Sequence, residues 1–205
     1  MDGTMMHETS LANFSGRGRK GYKQKRVGLF VDLSNIYLSA RQLQIKLDYK
    51  ALLDFAARRG KVTVARMYTA YNPEQQQARF FLNMKDLGFQ IVREPLRSYA
   101  GENQGNLDTV IAFDIGLEAS HLDEIILVSG DGDFAPVVKQ MRYLRKWVTV
   151  IGLKNCTSAN LIIESSEFVP ASKVPGFIIE ELISDQVTTS KSNETVIHSS
   201  ANNGC

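Results

Sequence analysis

A three-layer α/β/α domain with a mainly parallel sheet is what the sequence predicts, and three observations carry that expectation. Short apolar runs alternate with stretches of helical periodicity from Val27 to Glu164. The run EIILVS at 124–129 is apolar almost without interruption, as a strand covered on both faces requires. Two of the runs end in acidic residues, Asp32 after the first and Asp131 and Asp133 just beyond the fourth.

The elements follow in order. Val27–Asp32 (VGLFVD) reads as a buried first strand. Tyr49–Arg59 is a helix with Leu52, Leu53, Phe55 and Ala56 as its apolar stripe, closed by Gly60. Val62–Tyr71 has the β-branched and aromatic content of a second strand. Pro73 marks a helix start, and Phe80, Phe81, Met84 and Leu87 continue at helical spacing up to Gly88. Phe89–Val92 is a third strand, followed by a Gly- and Asn-containing loop around 98–106 and a helix over Leu107–Ala119. Glu124–Ser129 is the fourth strand, Phe134–Lys146 a helix, Trp147–Leu153 the fifth strand and Ser158–Glu164 a short helix. Right-handed crossovers and a strand order of 3-2-1-4-5 would arrange these five strands.

The 205 residues suit one ordinary domain, expected over 26–180, between a basic tail (1–25) and a Ser-, Thr- and Asn-rich tail (181–205). Net charge is only +2, but residues 1–26 carry Arg17, Arg19, Lys20, Lys23, Lys25 and Arg26 against Asp2 and Glu8. A leading positive segment of this kind provides sequence-independent phosphate contacts or keeps a tail solvated. Two cysteines, Cys156 and Cys205, make no disulfide framework, and a cytoplasmic setting is expected. No apolar run approaches the ~18 residues of a membrane-spanning helix, so no membrane partner is expected. His7, His121 and His198 lie too far apart in the chain to suggest a zinc site.

In an open parallel sheet, ligands bind at the carboxyl ends of strands where the order reverses. If the first and fourth strands are neighbours, Asp32, Asp131 and Asp133 converge there, and closely spaced carboxylates repel unless a cation sits among them. An oxygen-only acidic set suits Mg²⁺ or Mn²⁺, which lowers the pKa of a bound water and stabilises charge on a phosphodiester. The plainer reading makes Asp131-Gly132 a surface turn and Asp133 a helix cap. Asp108, at the start of its helix, is a further candidate; Asp114 lies about 600° further round and supports from another face. Ser34 and Ser129 lack a neighbouring His, so their expected role is hydrogen bonding around the acids or capping of strand ends.

Three segments, FVDLSNIY (30–37), GNLDTVIAFD (105–114) and SGDGDFAPVV (129–138), resemble those of NYN-domain proteins, in particular the LabA-like branch of the PIN-like nucleases. The similarity extends over roughly 26–172. It implies a Rossmann-like PIN fold and divalent-metal-dependent ribonuclease activity on single-stranded or structured RNA. It places metal-site and catalytic roles on Asp32, Asp108, Asp131 and Asp133, with Asn35 as a polar support. Gln104 stands where such proteins often have Lys, and Ser165-Ser166-Glu167-Phe168 replaces their Ala-Asp-x-Phe; both departures bear on catalytic vigour. The alternative is a weak or inactive module that binds RNA or protein. A homodimer is an option, although no interface stripe stands out.

Other motifs fail their context tests. Gly16-x-Gly18-x-x-Gly21 imitates a dinucleotide fingerprint, but no strand precedes it. A haloacid-dehalogenase phosphatase needs an acid two residues after Asp32, where Ser34 stands, and a receiver domain lacks its third-strand Asp. Arg93, Arg97, Lys139, Arg142, Arg145 and Lys146 either border the crevice or form solvated faces.

Overall fold

A computed structural model describes residues 24–71, 78–95, 97–99, 102–104 and 107–179. Strand β1 (Arg26–Asp32) is buried from Val27 onward, and α1 (Leu33–Gln42) follows it without a loop. That abrupt turn is possible because the Asp32 side chain caps the helix, accepting the Asn35 N–H. The short β2 (Lys46–Leu47) leads to α2 (Tyr49–Arg59), capped by Asp48, and then to β3 (Lys61–Tyr71). Helix α3 (Ala78–Asp86) and β4 (Gln90–Pro95) precede two three-residue strands, β5 (Arg97–Tyr99) and β6 (Glu102–Gln104).

Helix α4 (Leu107–Glu118) returns the chain to β7 (Glu124–Val128), and a 3₁₀ turn at Gly132–Phe134 leads into α5 (Ala135–Tyr143). The remaining elements are β8 (Trp147–Gly152), α6 (Ala159–Glu164), β9 (Glu167–Pro170) and β10 (Ile178–Ile179). The main sheet has the order β4-β3-β1-β7-β8-β9, and every pairing in it is parallel. Its first five strands have the order expected from the sequence.

Three features differ from the expectation. β9 extends the sheet by one edge strand, its sequence EFVP being too short, and ended by a proline, to signal a strand. The expected loop at 98–106 contains the β5–β6 hairpin, in which two three-residue strands pair antiparallel. β2 and β10 make another small antiparallel pair.

Alternate residues of the central strands feed two separate cores. Leu29, Val31, Ile126, Val128 and Ile151 pack with α1, α2 and α3 on one face. Phe30, Leu127 and Val150 pack with α4, α5 and α6 on the other. Each such fully buried side chain contributes about 1.5–3 kcal/mol, so the doubly covered strands hold the frame rigid. The carboxyl ends of β1 and β7 emerge from that frame side by side.

Candidate acidic crevice

The strand order reverses between β1 and β7: the chain proceeds outward to β3 and β4 on one side and to β8 and β9 on the other. Val31 pairs with Val128, so Asp32 and Ser129 are the next residues out on adjacent strands, about 4.8 Å apart by sheet spacing. Asp32 is only 3% exposed. One of its carboxylate oxygens accepts the Asn35 N–H at 3.1 Å and the other accepts the Ser129 hydroxyl at 3.0 Å. Ser129 Oγ in turn accepts the Asp131 N–H at 3.1 Å, and Asp131 Oδ1 accepts the Asp133 N–H at 2.9 Å. Asn35 closes the ring, its Oδ1 accepting the Gly130 N–H at 2.9 Å.

Glycine at 130 is a requirement of this turn. A Cβ there would overlap the carbonyl oxygen of Cys156 and lie 3.4 Å from Asn35 Oδ1. The loop after β8 therefore lies hard against the acidic turn, and the Ser158 N–H donates to Gly130 O at 2.9 Å. At Gly132 a Cβ would meet Ser158 Oγ at 2.7 Å. Sequence reasoning misses this loop, because no charge or motif distinguishes Cys156–Ser158.

Burial pushes the Asp32 carboxyl up to about 6. The Asn35 and Ser129 hydrogen bonds oppose that shift, while the charges of Asp108 and Asp131 add to it. Asp108, exposed at the start of α4, is also raised, by burial first and then by Asp131 and Asp133. Asp32 and Asp108 thus both feel the negative charge that follows β7. Among the described residues, no Lys or Arg forms an ion pair with any of them.

The structure does not bring every candidate to this crevice. Asp114 faces β3, where it accepts the Tyr68 hydroxyl at 2.8 Å and pairs with Arg66 at 3.2 Å. Burial, then the Asp114 hydrogen bond, holds the Tyr68 phenol above its ordinary range. Ser34 Oγ accepts the Ala70 N–H at 3.1 Å and stitches α1 to β3. Lys25 and Arg26 lie at the amino end of β1, about 20 Å away along the strand, paired with Glu124 and Asp123 at 2.6 and 3.0 Å. Lys139 pairs with Glu164, Arg142 donates to the Glu164 carbonyl and Lys146 donates to the Leu122 carbonyl, so these three serve the fold. Arg93 stacks over Phe81. Arg17, Arg19, Lys20 and Lys23 lie outside the described residues.

Among the described residues, no three His, Cys, Asp or Glu side chains are grouped closely enough to hold a metal ion by themselves. A Mg²⁺ site does not demand such a group, since that ion takes one or two carboxylates and fills its shell with water and substrate oxygens. The donor set here is oxygen only, and Asp32 is buried with no basic partner among the described residues. Both features fit a hard divalent cation.

A family profile described as "NYN domain" matches residues 26–178. The "Low amplitude and bright protein LabA" of Synechococcus elongatus is 24% identical over 166 residues, which is 77% of this chain and 89% of that protein. A crystal structure of a protein of unknown function from Vibrio parahaemolyticus is similar with a TM-score of 0.71 and 27% identity. That likeness covers 78% of this chain and 100% of the other.

Proposed function

The chain belongs to the NYN domain family, in its LabA-like branch, and on that footing we propose that it is a divalent-metal-dependent ribonuclease. The family is commonly nuclease-like. The observation that carries the reading is the Asp32–Ser129–Asp131 linkage across the switch point, acidic and without a basic partner among the described residues. Asp32, Asp108 and Asp131, with Asp133 assisting, would supply the one or two carboxylates that Mg²⁺ or Mn²⁺ takes. When bound, the ion supplies Lewis-acid stabilisation of the phosphodiester.

The protein's own contribution is preorganisation. Ser129 and Asn35 fix the Asp32 carboxylate on a rigid strand end, so little reorganisation accompanies the reaction. In the hydrolysis, a water oxygen bonds to phosphorus and the bond from phosphorus to the leaving ribose oxygen breaks. The attacking water gives up a proton and the leaving oxygen takes one up. Arg17, Arg19, Lys20 and Lys23 would hold the RNA by its phosphates in a salt-dependent manner.

Asp131→Asn tests this directly. The Asn side chain still offers Oδ1 to the Asp133 N–H, so the variant folds, while Mn²⁺-dependent shortening of a labelled single-stranded RNA falls by about 100-fold or more. Equal cleavage by the two proteins rejects the reading. The second reading, a module that binds RNA or protein without cutting, is favoured by Gln104, which stands where similar proteins often have a phosphate-neutralising Lys. RNA binding by the wild type with no shortening in Mn²⁺ supports it.

A further inference from the structure

We propose that the segment 142–147, at the end of the sheet remote from the acids, is a second RNA contact surface. Bases stack there on Tyr143 and Trp147, and Arg142, Arg145 and Lys146 meet the phosphates. The inference rests on the reading of RNA as the substrate and adds to it a gripping surface outside the crevice.

Strand register gives the position. Trp147 opens β8 opposite Glu124, and Glu124 on its other side pairs with Val27 of β1. The patch therefore lies five residues from Ser129 along β7, about 17 Å. The basic leader joins the fold at this same end through Lys25 and Arg26, and Lys25 stands over the Trp147 ring at 5.9 Å.

The acids at this end already have partners. Lys25 and Arg59 meet Glu124, Arg26 meets Asp123, Arg59 meets Glu167 and Lys139 meets Glu164. Arg142 and Lys146 donate to the carbonyls of Glu164 and Leu122, bonds that leave their own charge uncancelled. Arg145 has no carboxylate partner among the described residues. Three uncancelled cations thus fall within five residues.

Rings stand among them. Tyr143 is 71% exposed and Trp147 46%, with Leu144 also at the surface. The Tyr143 side chain makes no hydrogen bond or ring contact among the described residues. Flat exposed rings interleaved with cations match a single-stranded nucleic acid, which offers a π-face on every base and a charge on every phosphate. A lipid surface is a poorer match, because the exposed Lys139 and Gln140 one turn earlier on α5 are polar and an inserting helix needs an apolar face.

The backbone of the turn agrees. As α5 closes, the Arg145 N–H donates to Arg142 O at 2.8 Å and the Lys146 N–H to Met141 O at 3.1 Å, with Arg145 left-handed at φ 59°. That closure favours glycine at this position. Arginine is strained there and gains no side-chain bond among the described residues.

Trp147 is the only tryptophan in the chain, so its emission reports on this patch directly. Full-length protein is titrated in EDTA with a single-stranded RNA, labelled for anisotropy and unlabelled for Trp147 emission. The RNA is expected to quench Trp147 over the range in which anisotropy rises. Tyr143→Ala should weaken binding about fivefold or more without altering its salt dependence. Arg145→Gly should melt no lower than the wild type, yet weaken binding and reduce the slope of log affinity against log salt by about 0.7.

Constant Trp147 emission while anisotropy rises, or wild-type affinity in both variants, would place the RNA elsewhere and leave Arg145 serving only the carboxyl end of α5. Either result overturns the proposal, as does an absence of RNA binding in EDTA. Trp147 emission that responds to phosphatidylserine vesicles and not to RNA overturns it too, in favour of a membrane surface. The nuclease reading is tested apart from this, by replacing EDTA with Mn²⁺: an RNA that is quenching Trp147 but is never shortened refutes that reading and supports the contact surface.

Discussion

The hydroxyl of Ser129 lies 3.0 Å from a carboxylate oxygen of Asp32, a contact between the ends of two parallel strands that are 97 residues apart in the chain. One serine thereby does two things. It donates to the buried acid of β1 and accepts from the backbone of the acid that follows β7. A single hydroxyl can satisfy both because its proton points one way and its lone pairs another. The crevice is consequently one hydrogen-bonded unit, and a change at any member reaches the rest.

Asp32 makes stability depend on pH in an unusual direction for a carboxylate. Its folded pKa, about 6, lies above its ordinary value of 3.8, so the folded state holds the proton more tightly than the unfolded chain. Its contribution to stability is fully present below about 3.8 and is lost as pH rises through 6. The accumulated penalty above that window is roughly 3 kcal/mol. In metal-free buffer at pH 7.5, Asp32→Asn should be roughly 1–3 kcal/mol more stable than wild type by urea denaturation, with the difference shrinking towards pH 4. Mn²⁺ should raise the melting temperature of wild type at pH 7.5 and have little effect on the variant. A variant less stable than wild type at pH 7.5 would show that the hydrogen bonds to Asp32 outweigh its desolvation.

Two glycines respond in opposite senses to alanine. At Gly130 the added methyl overlaps the Cys156 carbonyl, and neither backbone segment can yield without breaking the Asn35 or Ser158 hydrogen bonds. Gly130→Ala should cost about 1–3 kcal/mol and weaken Mn²⁺ binding measured by calorimetry. Gly116, within α4, has nothing within 4 Å of where its Cβ would stand. Gly116→Ala should stabilise by about 0.4–1 kcal/mol with Mn²⁺ affinity unchanged.

These contrasts also show what sequence patterning carries. Apolar runs such as EIILV place β7 centrally, and an acid at the end of a buried run is visible without coordinates because burial makes it costly. The convergence of Asp32 and Asp131 follows from strand order, which crossover rules restrict. The bond from the Gly130 N–H to Asn35 and the pressure of Cys156 on Gly130 depend on loop paths, which no periodicity encodes. Asp114 illustrates the limit: its spacing from Asp108 indicates a different helical face, but its bond to Tyr68 requires the register of β3. Glu124 has a signal of its own in the sequence, a charged residue opening a strand that is otherwise apolar, but its partners come from α2, β8 and the residue before β1.

The basic leader and the basic residues that begin β1 should separate in a salt titration. Neutralising Arg17, Arg19, Lys20 and Lys23 together should flatten the dependence of log affinity for single-stranded RNA on log salt, by up to about 0.7 for each phosphate that the leader neutralises. Lys25 and Arg26 are committed to Glu124 and Asp123, so Lys25→Ala should leave that slope unchanged and lower the unfolding midpoint instead. An unchanged slope for the fourfold variant would remove the leader from the RNA interface.

The amino end of the sheet holds a second charged cluster, whose consequences are for stability. Glu124 is fully buried and meets Lys25 at 2.6 Å, Arg59 at 3.3 Å and the Thr149 hydroxyl at 2.8 Å. Arg59 also pairs with Glu167, whose carboxyl burial would raise but Arg59 brings below its ordinary value. Removing Arg59 leaves a buried carboxylate with one of its two cations, and such losses are costly because the remaining charge cannot reach water. Arg59→Ala should therefore destabilise by about 2 kcal/mol or more. Glu124→Gln keeps an acceptor for Thr149 and leaves Lys25 and Arg59 partly solvated, so it should cost about 1 kcal/mol. In the double variant the Arg59 substitution no longer strands a charge at Glu124, and the two effects should fall short of additivity by about 1 kcal/mol or more. Strict additivity in urea denaturation would mean that Lys25 alone neutralises Glu124. In either case Mn²⁺ affinity should be unchanged, because the cluster stands at the opposite end of β1 from Asp32.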